Sequence, residues 1–324
     1  MSIFTDMSRV VLIENNSEIG AGTRGASLGV DALRIAAFNS KSDYFNKHAL
    51  ERIENENDRL FEEIDFPSAK RMEDVLKVFN RICDKVDETF QKNRFPLILA
   101  GDHSSAGGTI AGIKKSNPNK RLGVIWIDAH ADLHSPYTSP SGNVHGMPLA
   151  TALNFDNKEH KIKELEPEVI EAWEKLKNVG GIAPKINSED LVFIGVRDTE
   201  ESEDYVIANN SIYNVSVEYV RRNGVEKVSA EVLDYLKECD MLYLSFDVDS
   251  MDCDLVSYGT GTPVANGITE QEASGLINHF LIDKRLGCFE VVEINPCLDN
   301  KQNKMAETAF RILENATSII EKRG

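Results

Sequence analysis

The segment covering residues 123–146, GVIWIDAHADLHSPYTSPSGNVHG, places metal-binding side chains directly after an apolar run of strand length. Residues 124–127 predict a buried strand, and Asp128, His130 and Asp132 follow at alternate positions. Alternate side chains of an extended chain point to the same side, so we expect these three to share one side if the chain stays extended. Carboxylates buried this close together are costly unless a cation offsets their charge. The sequence therefore predicts a cation site.

Further apolar runs alternate with amphipathic segments along the chain. We predict other strands at 10–13, 97–100, 191–196, 241–246 and 288–294, and helices from about residue 30 and at 72–92, 147–153, 230–237, 271–281 and 304–322. The charged stretch 154–177 predicts a solvated helix with its connections. Continuous apolar strands alternating with amphipathic helices are typical of an α/β fold with a mostly parallel sheet covered by helices on both faces. No internal repeat or linker is evident, so we expect residues 1–324 to form a single domain.

Amino-acid composition limits which binding partners and which cellular compartment the protein can have. A net charge of -17 argues against nucleic-acid binding, which needs a basic patch, and is compatible with a cationic substrate. No apolar stretch approaches the roughly 20 residues that a membrane-spanning helix needs. The five cysteines are scattered without a CxxC pair, a pattern typical of free thiols in a reducing compartment. We expect a soluble cytoplasmic protein without nucleic-acid or membrane partners.

Polar clusters follow four of the predicted strands, at the point where each strand ends. In open α/β sheets ligands bind beyond the carboxyl ends of strands, so we expect the clusters to converge. A single cluster of this kind is equally well explained as a loop carboxylate or a helix cap, but four in register are not. The clusters are Asp102 with His103, the group Asp128, His130 and Asp132, the pair Asp247 and Asp249, and Glu293.

Four carboxylates and two imidazoles among these residues suit two divalent ions of moderate hardness. Mn²⁺ fits this ligand set well, and zinc, cobalt and iron remain alternatives. Two ions roughly 3.5–4 Å apart would bind a bridging water and lower its pKa, which yields a hydroxide nucleophile near neutral pH. The predicted reaction class is metal-assisted hydrolysis. The six ligand candidates are His103, Asp128, His130, Asp132, Asp247 and Asp249.

The motifs GDHS, DAHAD, SGNVHG and SFDVDSMD, in this order and spacing, resemble those of the arginase/agmatinase (ureohydrolase) family. The resemblance extends from TRGASLGVDALR through GTGTPVANGIT to VEINP and so covers nearly the whole chain. It implies a three-layer α/β/α fold and a binuclear manganese hydrolase, closest to arginase, that cleaves L-arginine to L-ornithine and urea. Family members usually form trimers or hexamers, so the resemblance also implies a homo-oligomer.

The resemblance assigns each candidate ligand to one of two Mn²⁺ ions. His103 and Asp132 would hold the first ion, His130 and Asp249 would hold the second, and Asp128 and Asp247 would bridge both. In the family a metal-bridging hydroxide attacks the guanidinium carbon, and the intermediate collapses to urea and an amine. The catalytic residues that the family pattern implies are Asp132, His145 as the proton shuttle to the leaving amine, and Glu293 as the partner of the guanidinium group.

The loop between Asp132 and His145 resembles the arginase form, in which hydroxyl and amide groups bind the substrate α-carboxylate. Agmatinases, whose substrate lacks that carboxylate, generally lack this SGN element. Ordinary turn chemistry is the alternative explanation of the same residues. The residues that the resemblance places around the substrate are Ser139, Ser141 and Asn143 at the carboxylate, Glu200 near the α-amino group, and Thr262 near the guanidinium.

Three departures from the family pattern leave more than one substrate compatible with the sequence. His134 stands where arginases usually carry an asparagine that touches the carboxylate end, and it is either a ligand of that end or a loop residue without a role. Cys253 replaces the usual proline, in a segment one residue longer than the common form. Alternatives to L-arginine hydrolysis are therefore agmatine or another guanidino compound as substrate, and a non-catalytic metal-binding scaffold.

Overall fold

The computed structural model describes residues 8–64 and 66–323, and their strands belong to one sheet. Every pairing within the sheet is parallel, in the order β2-β1-β3-β8-β7-β4-β5-β6. The strands are β1 (Val10–Asn15), β2 (Ala49–Arg52), β3 (Phe95–Ala100), β4 (Leu122–Ile127), β5 (Leu191–Ile194), β6 (Tyr213–Val215), β7 (Met241–Asp247) and β8 (Leu286–Val292).

Helices connect the strands and cover both faces of the sheet. They are α1 (Gly29–Asn39), α2 (Tyr44–Lys47), α3 (Met72–Gln91), α4 (Ser105–Ser116), α5 (Pro148–Leu153), α6 (Pro167–Lys177), α7 (Glu201–Asn209), α8 (Val217–Asn223), α9 (Val225–Tyr235), α10 (Glu270–Ile282) and α11 (Lys304–Lys322). No helix in the described ranges is long and apolar enough to cross a membrane.

Each inner strand contributes alternate side chains to two separate hydrophobic cores. In β4, Ile125 and Ile127 pack in the core shared with α1, α9, α10 and α11, whereas Val124 and Trp126 pack in the core beneath α3, α4, α5 and α6. A strand buried on both faces has no solvated side, which explains the continuous apolar runs in the sequence. The prediction of a parallel sheet between two helical layers is confirmed.

The sequence analysis missed the two edge strands and misplaced several boundaries. The side chains of β2 are half-buried or exposed and those of β6 are mixed, so neither strand shows an apolar run. β5 ends at Ile194 and β8 at Val292, both earlier than predicted. In the charged stretch 154–177, the α-helix occupies only Pro167–Lys177, and α2, α7 and α8 were not predicted.

Helices α3 and α4 approach each other through glycines of α4. A Cβ atom added at Gly108 would lie 2.9 Å from the Phe79 carbonyl oxygen, and one at Gly112 would lie 2.7 Å from the Cys83 carbonyl oxygen. Real Cβ atoms do not approach backbone that closely, so these positions admit only glycine at the observed separation of the helices. The close contact holds α4 firmly on the sheet directly after His103.

Replacing Gly112 with leucine is expected to lower the free energy of unfolding by at least about 1–3 kcal/mol, because the helices must separate to admit the side chain. Denaturant unfolding followed by circular dichroism measures this. The control is Asn80→Gln on the exposed face of α3, expected to change stability by less than about 0.5 kcal/mol. Equal effects of the two variants would contradict the packing argument.

Candidate metal centre

The loops that follow the four central strands meet at one edge of the sheet. β3, β8, β7 and β4 are adjacent in the sheet order. His103 follows β3, Glu293 follows β8, Asp249 follows β7, and Asp128 follows β4. Because all the strands are parallel, their carboxyl ends lie at the same edge, and the four loops bring their side chains together.

One group of candidate ligands surrounds the buried imidazole of His103. Its Nδ1 atom lies 3.0 Å from Asp128 Oδ2, 3.2 Å from Asp132 Oδ2 and 3.1 Å from Asp247 Oδ2. Atoms of His103, Asp128 and Asp132 are close enough to one another to bind a single metal ion.

A second group lies on the other side of Asp128. His130 Nδ1 is 3.5 Å from Asp128 Oδ1 and 3.0 Å from Asp249 Oδ2, and these three residues also satisfy the spacing for one ion. Asp128 thus faces one imidazole with each carboxylate oxygen. Asp247 contacts the first group, and its Oδ1 accepts a hydrogen bond from the Asp249 backbone N–H at 2.8 Å. The structure therefore brings the six candidate ligands together around Asp128.

The side chains converge through turns and not through extended chain, contrary to the premise of the sequence analysis. β4 ends at Ile127, where the His130 backbone N–H donates to Asp128 Oδ1 at 2.7 Å. Asp132 has a left-handed φ of 52°. Beyond β7 a 3-10 turn covers Val248–Ser250. The alternation argument was wrong in mechanism, because the carboxylates themselves accept backbone N–H groups and bend the chain at the strand ends.

The buried polar atoms around His103 fit a divalent cation. His103 Nδ1 and Asp128 Oδ2 are buried, and neither has a hydrogen-bond partner of good geometry among the described residues. His103 Nε2 lies 2.8 Å from Ser245 Oγ, and in the tautomer that donates to Ser245 the Nδ1 lone pair faces three carboxylates. A lone pair and several carboxylate oxygens directed at one point form a cation site.

Charge repulsion within the cluster supports the same assignment. Burial and then the charges of Asp249 and Asp128 raise the pKa of Asp247 well above its ordinary value. Burial and then the charge of Asp128 raise the pKa of Asp132 to about 6. Divalent cations offset both causes, because they replace lost hydration and neutralise neighbouring carboxylates.

Glu293 and His145 adjoin the metal-ligand cluster. Glu293 has a left-handed φ of 66°, and its Oε1 accepts the His103 backbone N–H at 2.9 Å. His145 Nδ1 lies 3.4 Å from the same Oε1. Burial disfavours the charged form of His145, but the carboxylates of Glu293, Asp132 and Asp102 together outweigh burial and hold the pKa of the imidazole above its ordinary value.

The main chain of His145 is held by a contact that the sequence analysis did not identify. Its backbone N–H donates to the Gly20 carbonyl at 3.1 Å, and the Gly20 N–H donates to Asp102 Oδ2 at 2.9 Å. Burial, followed by the charge of Glu293, raises the pKa of Asp102 to about 6. Asp102 therefore supports the loop that positions His145.

The SGN segment forms a tight turn in the wall of the same cavity. Ser139 Oγ accepts the Gly142 N–H at 2.9 Å, and Ser141 Oγ accepts the Asn143 N–H at 3.2 Å. These are turn hydrogen bonds, as the alternative explanation expected. Each hydroxyl nevertheless keeps its own proton to donate, because only its oxygen is used.

Near this turn, the side chain of His134 lies between Thr138 and two carboxylates. Its Nδ1 is 3.1 Å from Thr138 Oγ1, and its Nε2 is 3.7 Å from Glu200 Oε2 and 3.5 Å from Glu203 Oε2. Glu200 and Glu203 form a reciprocal capping box at the start of α7. Glu203 was missed by the sequence analysis, because Glu200 takes the place of the Ser or Thr that marks a capping box in a sequence.

A cavity of about 200 Å³ contains all the candidate site residues except Asp128, which lies beneath it. Thr262 lines the wall and donates to Asp249 Oδ2 at 3.1 Å. Asp198, Thr199 and Glu203 also line the cavity. Cys253 is buried and lies outside this lining, so the altered segment meets the cavity only further along, at Thr262.

Known proteins are similar to this chain over nearly its whole length. The family model described as the arginase family matches residues 8–318. The arginase of Bacillus subtilis (strain 168) is 36% identical over 308 residues, covering 92% of this chain and 93% of that protein.

Solved arginase structures have the same fold as this chain. The arginase of Bacillus caldovelox has a TM-score of 0.80 at 33% identity, covering 97% of this chain and 98% of the other. The Entamoeba histolytica arginase, in complex with L-ornithine, has a TM-score of 0.80 at 26% identity, covering 95% and 97%. With its parallel sheet, its carboxylate–imidazole cluster and these matches, the chain belongs to the arginase family and is a hydrolase of the ureohydrolase class.

Proposed function

We propose that the protein is a manganese-dependent arginase that hydrolyses L-arginine to L-ornithine and urea. The observation that carries the proposal is a cavity lined by two chemically different groups of side chains. One comprises two carboxylate–imidazole groups that share Asp128, and the other comprises the hydrogen-bond donors of Ser139, Ser141 and Asn143. A guanidinium group suits the first and an α-carboxylate suits the second.

Six side chains would hold two ions, with Asp128 and Asp247 between them. Mixed carboxylate and imidazole ligands suit Mn²⁺. When bound, the ions supply Lewis acidity that activates water for attack on the guanidinium carbon. His103 and Asp132 belong to the first group, and His130 and Asp249 to the second.

Glu293 is proposed to bind the guanidinium group. Its side chain is buried, and Oε1 already accepts the His103 N–H. The remaining acceptor capacity faces the cavity, since Glu293 belongs to the lining. A carboxylate pairs strongly with a planar guanidinium cation, and this pairing would hold the reacting carbon beside the metal ligands.

His145 is proposed to give a proton to the leaving amine. Hydrolysis breaks the bond between the guanidinium carbon and the substituted nitrogen, and that nitrogen must take up a proton to depart as an amine. Burial lowers the pKa of His145, but Glu293, Asp132 and Asp102 together raise it above its ordinary value, which favours the protonated imidazole that a proton donor needs. Glu293 thus positions both the substrate cation and the proton donor.

The SGN turn is proposed to bind the α-carboxylate, with His134 at the same end of the substrate and Glu200 near the α-amino group. Ser139, Ser141 and Asn143 line the cavity on this side. The Entamoeba histolytica arginase was solved with L-ornithine, an amino acid that has both groups. A different guanidino acid is the second candidate, and His134 favours it, because its ring occupies space between Thr138 and Glu203.

Compartment and assembly are part of the same proposal. The five cysteines are free, which favours a reducing cytoplasm. From the resemblance to the family we propose that the protein forms a trimer or hexamer. Each subunit would consist of one ureohydrolase domain spanning residues 1–324.

The first test is urea release by metal-loaded protein. We expect L-arginine to be preferred over agmatine by more than about 100-fold in kcat/KM, because agmatine leaves the donors of the SGN turn unpaired. Chelation should abolish turnover, and Mn²⁺ should restore it. Preference for agmatine would overturn the substrate assignment, and silence of the fully metal-loaded protein with every guanidino compound would favour a scaffold.

Substitution of Asn143 by alanine tests the carboxylate end separately. We expect kcat/KM for L-arginine to fall by about 10–100-fold, because a hydrogen bond to a charged group is lost. Steady-state kinetics with agmatine provide the control, since that substrate has no carboxylate and should lose less than about threefold. Unchanged kinetics with L-arginine would refute a role for Asn143.

Substitution of His145 by asparagine tests proton donation. We expect kcat for L-arginine to fall by roughly 100-fold with KM changed less than about threefold, as for loss of a general acid. The matched control is His160→Asn, at a histidine whose ring is tilted against Tyr205 outside the cavity lining, and it should keep full activity. Metal content is measured for both variants, and a loss explained by missing metal would contradict the assigned role.

A further inference from the structure

The SGN turn is held from outside by the segment 67–70, which is remote in sequence. The Lys70 backbone N–H donates to the Gly142 carbonyl at 2.9 Å. Gly142 has a left-handed φ of 71°, and a Cβ atom there would lie 1.8 Å from the Pro67 carbonyl oxygen. The turn therefore sits directly on the backbone of this segment, so its position depends on the segment.

The side chain of Lys70 determines which end of the Asn143 amide is free. Lys70 Nζ donates to Asn143 Oδ1 at 3.2 Å. An ammonium group has only donors, so it selects the amide oxygen and turns the Nδ2 group away. Nδ2 lies beside Gly22, where an added Cβ atom would be 2.6 Å away. It donates to no residue within 8–64 and 66–323.

Positive charge is concentrated on the outer side of this turn, opposite an acidic cavity. Lys163 Nζ donates to the Ser139 carbonyl at 2.6 Å. Burial and then the charge of Lys70 lower the pKa of Lys163, so the two ammonium groups are near enough to repel each other. The cavity lining itself includes the carboxylates Asp132, Asp198, Glu200, Glu203, Asp247, Asp249 and Glu293. The two ammonium groups therefore favour an anionic group of a ligand at the turn.

We infer that Lys70 is a positioning residue that makes the cavity selective for guanidino compounds bearing a carboxylate. It orients the Asn143 amide so that an N–H group, and not an oxygen, faces the carboxylate, and its charge favours the anion through the turn. This inference rests on the proposed function, because it concerns the carboxylate end of the same cavity. Lys70 itself lies outside the cavity lining.

The test compares Lys70→Met with Lys70→Arg in the metal-loaded full-length protein. For Lys70→Met we expect KM for L-arginine to rise about tenfold with kcat nearly unchanged, since the amide is free to present its oxygen. Agmatine kinetics should change less than about twofold. Lys70→Arg keeps the charge and donors and should recover most of the affinity. Calorimetric titration with L-ornithine should show the same order of affinities without turnover.

Lys77→Met is the matched control. Lys77 lies on α3 and pairs with Asp74, so this substitution removes the same charge without affecting the turn. It should leave the L-arginine KM within about twofold. The inference would be overturned if Lys70→Met impaired the kinetics with L-arginine and with agmatine equally. It would also be overturned if Lys77→Met raised the KM for L-arginine as much as Lys70→Met does. So would an unchanged L-arginine KM in an active protein. A wild-type protein that neither hydrolyses L-arginine nor binds L-ornithine would overturn the proposed function, and this inference with it.

Discussion

The burial of four carboxylates around two imidazoles is the constraint on which the rest of this structure depends. Asp128, Asp132, Asp247 and Asp249 are nearly inaccessible to solvent and close enough to repel one another. Such a cluster is unfavourable in a protein interior unless cations bind it. The backbone N–H groups at the strand ends satisfy some of the carboxylate oxygens and leave the others directed at His103 and His130. The same carboxylates at this edge of the sheet therefore affect the stability of the fold and form the candidate metal site.

The parallel sheet makes this arrangement possible, because it aligns the ends of strands that are distant in sequence. β3, β8, β7 and β4 are neighbours at the centre of the sheet, and each leads directly into a site loop. The α3–α4 contact holds the helix that follows His103 against the sheet. Beneath the site, Trp126 stacks on His103 with ring centroids 4.0 Å apart, so the hydrophobic core itself orients a metal-ligand candidate.

The charged groups in and around the cavity are not evenly distributed. The cavity lining is rich in carboxylates, whereas the SGN turn has free donors and two ammonium groups on its outer side. A molecule with a cationic and an anionic end is complementary to these two features. Glu293 serves both the imidazole of His145 and the backbone of His103, and so it connects the ligand cluster to the proposed proton donor.

Local sequence determined which residues are candidates for the site, because an apolar run ending in Asp or His predicts both a buried strand and a polar group at its end. Asp128, His130 and Asp132 were identified in this way, and the sheet and its helical layers followed from the alternation of patterns. Tertiary structure alone decided that these side chains converge through turns, that Glu203 enters the cavity, and that Lys70 contacts Asn143. The edge strand β2 was likewise undetectable, because its residues carry no apolar pattern. The physical reason is the distance along the chain between the residues that interact. Periodicity and spacing report on neighbours along the chain, whereas contacts between segments such as 67–70 and 139–143 depend on packing of the whole fold.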